Sequence, residues 1–508
     1  MKKNVLALSI AAAVTGFAGS AHAIQTLGSA ATADALQFGN TGTGHMLVVP
    51  YFSTQDGNST LLSIVNTNQT IGKAVKVRFR GASNSDDVFD FQVFLSPGDV
   101  WTANISANAD GLSYLTTTDN TCTKPAKSVL NSTPFITARL NPAASAEAKA
   151  AGTREGYVEI FNMADIPESA TGVYPLIKHN ASGVAGCADT ATNTSWTALN
   201  TDLADEAAYA AQGLVNPTTG LAANWTIINV PKAISWSGEA AAVEAVVTAT
   251  GAPGIGNVVY FPQSAAPVAD TTGFTADPLL KGATAAAQIV KAGLYDLPDM
   301  STPYLTGAGT PEAQATSLTA AIAATSVMNE YVTDPAIDAA TDWVFSMPTR
   351  RYSAAVNYAA SPMAAVYNGG ITGYFTSTNT TLNGDQLCVT GVAVAPWDRE
   401  ERSPAAPDDV VISPGTPTAP TLFCGEASVL SFNNGSTTKS GVLGASVALK
   451  DIDLPYQDGW AALTTPGATP ANGLPILGQS FVSAYNPAVA AGVAGNFGMG
   501  WAHRFTRP

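Results

Sequence analysis

Charge is what this chain has least of. Of its 508 residues only 12% are Asp, Glu, Lys or Arg, roughly half the share usual in soluble domains. The balance is acidic, with 23 Lys+Arg against 38 Asp+Glu and a formal net charge of −15. No basic stripe is present to meet a phosphate backbone, which excludes nucleic acid as a partner. Lys/Arg-rich helices of the kind that lie on membranes are missing as well. Histidine is nearly as scarce: beyond His22, only His45, His179 and His503 occur, each isolated in sequence. General acid–base work and catalytic triads most often need that residue, and neither H-E-x-x-H nor G-x-S-x-G is found. Cysteine is limited to Cys122, Cys187, Cys388 and Cys424, with no C-x2-C spacing, which argues against thiolate metal ligation. After the first two dozen residues no apolar run is long enough to cross a bilayer as a helix.

What is present starts with a leader. Lys2 and Lys3 precede an Ala-rich apolar stretch that ends at Ala21-His22-Ala23. This is the pattern of a cleaved secretory signal over residues 1–23, with Ile24 opening the mature chain at a net charge of −17. Export places the four cysteines in an oxidising compartment, where an even number favours disulfides. Three pairings are formally possible. Nearest-neighbour closure, Cys122–Cys187 and Cys388–Cys424, is the expected one, since each bond then staples one long polar loop. Each loop would add roughly 3–5 kcal/mol on the entropic account. About 485 residues remain, enough for two to four domains.

The hydrophobic pattern predicts a mainly β fold of antiparallel sandwich-like domains with short Ala-rich helical insertions. Residues 24–44 read as a flexible lead-in that packs on its own domain or adds a strand to a neighbour's sheet. Residues 45–53 form an apolar strand whose Pro50 marks an edge or a bulge, and Thr60 to Val65 follow after the Asp56-Gly57-Asn58 turn. Val75, Val77 and Phe79 alternate with Lys76, Arg78 and Arg80, which places one face in a core and the other in water. Phe89, Phe91, Val93 and Leu95 repeat the pattern with Asp90 and Gln92 outward. Val100, Trp101, Ala103 and Ile105, then Glu155 to Met163, complete an N-terminal sandwich over 45–200. A mixed middle region, 201–340, has β-like spacing over 222–262. Helices are expected near 141–153, 201–213, 283–293 and 311–332; the last starts at Pro311 with Glu312 in its first turn. A C-terminal β-rich domain, 341–508, is expected to carry strands at 343–347, 353–359, 372–377, 429–432 and 445–449, with an extended Pro-rich loop at 403–420. Pro508 and the helical insertions do not fit an outer-membrane barrel.

Candidate sites are few. His45 reads as a rim histidine of a β core. Ser436-Thr437-Thr438-Lys439 matches S-x-x-K but lies in a polar loop. The glycines between Gly39 and Gly44 precede a strand, whereas a dinucleotide fingerprint follows one. Asp451, Asp453 and Asp458 set three carboxylates within eight residues, a weak structural calcium candidate, since calcium takes such oxygen clusters. Asp86/Asp87 and Asp408/Asp409 are lesser acidic pairs. The run Trp397-Asp398-Arg399-Glu400-Glu401-Arg402 is the one dense charge cluster. Most of the eight tryptophans read as core residues, the rest as sugar platforms or subunit contacts.

The leader, the GTGHMLVVPYFSTQDGNSTLLSIVNTN and FQVFLSPGDVWTANI segments and the WAHRFTRP ending resemble secreted proteobacterial cell-surface proteins. These include surface-layer-type proteins associated with extracellular tubular structures. The resemblance implies a bacterial outer surface and self-assembly, and carries no catalytic residue. The expectation is therefore a non-enzymatic, secreted homo-oligomer or polymer without cofactor beyond structural calcium. The alternatives are an adhesin or carbohydrate-binding module on envelope glycan, and a secreted hydrolase.

Overall fold

The computed structural model describes residues 31–39, 41–187, 199, 208–260, 299–358, 360–403, 423–486 and 495–508. The leader, the helix expected at 283–293, most of that at 201–213, the Pro-rich 403–420 loop apart from Ser403, and Asp408/Asp409 lie outside them. Antiparallel sheets dominate, as the alternating pattern requires.

Two sheets form a first sandwich. One has eight strands, in the order Ala35–Phe38, Ala241–Val247, Met46–Ser53, Glu155–Pro167, Ile71–Gly81, Asp87–Leu95 and Cys122–Lys124, with Ala252–Pro253 on the second of these. The other runs Ile234–Glu239, Leu221–Asn229, Asn58–Asn66, Val100–Ala107 and Ser113–Thr116. Val75, Val77 and Phe79 meet Leu62, Ile64, Trp101 and Trp225 between them. Pro50 is accommodated by a register shift between Val49 and Phe52 in an interior strand, so it marks a bulge and not an edge. The lead-in packs on its own chain as the edge strand Ala35–Phe38, paired with Ala241–Val247.

A third sheet, Leu449–Ile452, Ala427–Phe432, Ala340–Ser346, Leu477–Tyr485 and Asn496–Ala502, packs on a fourth made of Ala393–Trp397, Asp458–Thr464, Ser326–Val332 and Arg504–Thr506. Trp343, Phe345, Val327, Tyr331 and Leu463 fill the space between them. Cores do not follow the expected boundary at 340/341: Val344, Val429 and Phe481 belong to the same apolar cluster as Val75 and Trp101.

Two kinds of expectation are corrected, the extent of elements and the placement of charge. The helix over 311–332 stops early. Thr310 caps it, its hydroxyl accepting from the Ala313 N–H, and the helix runs Pro311–Ile322 before the chain extends into Ser326–Val332. Val327/Tyr331 and Met328/Val332, four apart, also share a face in a strand, because four is two strand periods. The strand expected at 372–377 is irregular, and of that expected at 445–449 only Leu449 is in a strand, Leu449–Ile452.

The second correction concerns charge. Lys76, Arg78 and Arg80 do not face water; each is at most 2% exposed, and Gln92 is buried too. The first sheet is covered on both sides, its outer face by Tyr174, Ile177, Tyr260, Tyr304, Leu318 and Ile322. An ionic seam runs through this cover. Arg78 Nε lies 3.3 Å from Asp87 Oδ2, which also takes Arg139 at 3.2 Å. Arg80 Nε lies 3.2 Å from Glu159, and Arg351 Nη2 reaches Asp299 at 2.9 Å and Glu159 at 3.5 Å. Lys73 meets Asp165 at 2.9 Å. Burial pushes the Asp299 carboxyl up, but Arg351, Arg78 and Arg80 together hold it below the usual range. Such pairs replace lost hydration with opposite charge and hydrogen bonds.

Two further buried carboxylates fasten one loop. Glu155, on the first sheet, accepts from the backbone N–H groups of Ser446, Val447 and Ala448. Asp342, on the third, accepts from those of Val442 and Leu443. The loop thereby ties the two sandwiches together. Cys122–Cys187 and Cys388–Cys424 are both bonded. The second is a directly opposed cross-strand pair, and the first anchors an edge strand to the segment after the Tyr174–Ile177 helix.

Candidate functional site

No described segment covers the outer face of the fourth sheet, which carries aromatic and charged side chains together. Strand alternation sends Val327, Tyr331, Leu463 and Phe505 inward and Met328, Glu330, Trp460 and Arg504 outward. Register aligns Trp397 with Trp460 and Trp460 with Glu330, so these three side chains stand in a row across neighbouring strands. Trp397 stacks on Trp460 with ring centroids 4.1 Å apart and planes 9° from parallel. Gly459 permits that approach: a Cβ there would sit 1.9 Å from the Trp397 carbonyl oxygen, and its φ is +147°.

Trp460, 38% exposed, then lines an open cleft of about 650 Å³ with Glu330, Tyr331, Arg399, Trp501 and Arg504 among its walls. The charge cluster seen in the sequence forms one side. Arg399 reaches Asp458 at 3.0 Å, and Arg402 pairs with Asp398 and Glu400. Tyr331 is 1% exposed and stacks on Phe432. Its hydroxyl is buried without a hydrogen-bond partner among the described residues. Burial, with Asp458, Tyr456 and Asp398 nearby, pushes that phenol up to about 12, so it stays a neutral donor.

A second surface lies where the sandwiches meet. Trp236 Nε1 donates to the Val482 carbonyl at 2.9 Å, and Asn496 donates to the Lys232 carbonyl. Gly498 leaves room for the Ser235 carbonyl. On the other side of that strand Phe497 (55% exposed) and Met499 point outward beside Val230, which is 72% exposed. They border a groove of about 760 Å³ that no charged residue lines among the described residues.

The other candidates resolve into structure. Asp458 goes to the Arg399 pair while Asp451 lies on an edge strand with Asp453 nearby, and no cluster of three metal-ligating side chains occurs among the described residues. Asp87 serves the seam, and Asp86 accepts from the Tyr358 hydroxyl. The Ala245 N–H donates to His45 Nδ1, which leaves Nε2–H to donate to the Gly254 carbonyl at 3.1 Å. His503 is held likewise between the Asn329 amide and the Val344 carbonyl, with its ring stacked on Phe345. Burial lowers both to about 3, so both are neutral. His179 has Ser96 Oγ at 3.1 Å and Asp99 Oδ2 at 3.6 Å, but both approach Nδ1. A triad needs the hydroxyl on one ring nitrogen and the carboxylate on the other. Ser436 Oγ accepts from the Thr438 and Lys439 N–H groups in an exposed turn, and Lys439 reaches Asp56. Trp101, Trp225, Trp236 and Trp343 are core residues. Trp196 lies outside the described residues.

The cleft was out of reach of the sequence. Its parts come from strands far apart in the chain, and only Asp458, as a calcium candidate, and the Trp397–Arg402 run drew notice. No described helix is long and apolar enough to cross a membrane. Compared with protein-family models, curated proteins and solved structures, the chain matches none.

Proposed function

We propose that this is a non-enzymatic structural protein of a bacterial outer surface that associates with copies of itself. The observation that carries the reading is the uncharged groove bordered by Val230, Phe497 and Met499, set in a surface unusually poor in ionised groups. At least eight of the 23 basic and ten of the 38 acidic residues are buried. The charge left to the surface is therefore sparser than the composition indicates. Two copies can bring such grooves together without desolvating an ion, and apolar, charge-depleted patches are what interface centres share. The occupant of the groove is a second copy of this chain. The secretory leader and the two disulfides support export to an oxidising compartment. Sealed histidines and a misplaced Ser–His–Asp set support a role without catalysis.

Sedimentation and negative-stain imaging of the mature protein test the reading. Particles larger than a monomer are expected, and they grow with ionic strength because salt screens the repulsion of the acidic chains. Phe497→Glu places a charge in the groove and weakens association by about tenfold or more. Monomers at every salt and calcium concentration would overturn the proposal.

A further inference from the structure

We infer that the cleft on the uncovered face of the fourth sheet is a saccharide-binding site, with the free face of Trp460 as its platform. A pyranose ring carries a flat face of C–H groups and a rim of hydroxyls. It needs an aromatic plane for the first and paired donors and acceptors for the second. The cleft offers both. Trp397 covers one face of the Trp460 indole and fixes its orientation, leaving the other side to the cleft. Glu330 stands one strand away in register, and Asp458, Arg399 and Arg504 complete the polar rim. An aromatic held rigid before the ligand arrives loses little freedom on binding.

The Tyr331 hydroxyl is an independent pointer. A buried hydroxyl without a partner is destabilising, and native structures keep few of them. The Tyr331 ring packs inward, but its hydroxyl lies near Asp458 and Asp398 of the cleft rim, and a ligand hydroxyl reaching between them would satisfy it. The volume of about 650 Å³ falls within the range of small-ligand clefts, roughly 300–1,000 Å³. Charge narrows the class. Arg399 is neutralised by Asp458 and Arg402 by Asp398. Glu330, Glu401 and Arg504 make no ion pair among the described residues, which leaves the cleft slightly acidic. Neutral or amino sugars suit it better than uronic acids.

The test uses the full mature protein, titrated with cellohexaose, chitohexaose, a chitosan hexamer and polygalacturonate, with binding read by tryptophan fluorescence and calorimetry. Saturable binding of one of the first three at millimolar concentration or below is expected. Trp460→Ala should lose about tenfold or more in affinity. Tyr331→Phe removes a single oxygen and should lose about three- to tenfold while the unfolding temperature holds or rises. That split is one a purely structural tyrosine would not produce. Co-sedimentation with purified peptidoglycan places the glycan in the cell's own envelope, and binding to the soluble sugars without it places the glycan outside; either supports the site. No saturable binding, a preference for polygalacturonate, or unchanged affinity in both variants would overturn it. Light scattering on the same samples reports self-association separately, since Phe497 and Met499 are not part of the cleft.

Discussion

The first and fourth sheets both set charged side chains on one face of alternating strands, yet water reaches that face of only one. In Ile71–Gly81 the charged positions lie under a second layer and are matched by Asp165, Asp90, Asp87 and Glu159. In Ser326–Val332 the corresponding position, Glu330, is exposed beside Trp460 and Arg504. The alternation tells which residues share a face; the chain's own later segments decide whether that face is covered. Arg350 to Tyr352, more than two hundred residues downstream, bring Arg351 to the first sheet, while no described segment crosses the fourth.

Three measurements probe that difference. The largest effect is expected from acid, which attacks the buried polar groups of both sandwiches. His45 and His503 titrate near 3 when folded, against about 6.5 in an unfolded chain. Between those values the unfolded chain holds more protons, so stability is intact above about pH 6.5 and falls as pH drops. The loss by pH 4 is about 3 kcal/mol for each histidine. Asp299 acts in the same direction; Asp342 and Glu426, raised by burial, oppose it. Imidazole resonances isolate the histidine part: neither His45 nor His503 should titrate between pH 5 and 8, and a midpoint in that range would refute the sealed arrangement. Next comes Arg351→Met, which leaves Glu159 and Asp299 short of a cation in the seam. Denaturant unfolding should show a loss of about 3–5 kcal/mol; a loss below about 1 kcal/mol would mean water reaches the seam. Smallest is Glu330→Ala on the bare sheet, where the change should stay within about 0.5 kcal/mol. A larger cost there would show that the fourth sheet is covered in solution, and so erase the contrast.

Much of the β pattern was legible. Met46–Ser53 follows from an apolar run, the strands through Ala107 and Glu155–Pro167 from runs bounded by turn residues, and Pro50 left an edge or a bulge, of which register chose the bulge. Both disulfides join neighbours in sequence, as loop closure favours. Less legible were places where one pattern serves two structures. Val327/Tyr331 fits a helix face as well as a strand face, and Lys76/Arg78/Arg80 fits an ionic seam as well as a solvated edge. Of the cleft only isolated parts, Asp458 and the Trp397–Arg402 run, stood out, because Trp397, Trp460 and Glu330 are brought into line by strand register, which depends on the order of strands in the sheet.

Local chemistry sufficed for the strand-forming stretches, the cysteine partners and the poverty of charge, since each depends on neighbours within one segment or on composition. Which faces are dry, where the scarce charges go, and that two tryptophans stack on a sheet face depend on contacts between residues tens to hundreds of positions apart. Burial and register are properties of the assembled layers, and no single segment encodes what will lie against it.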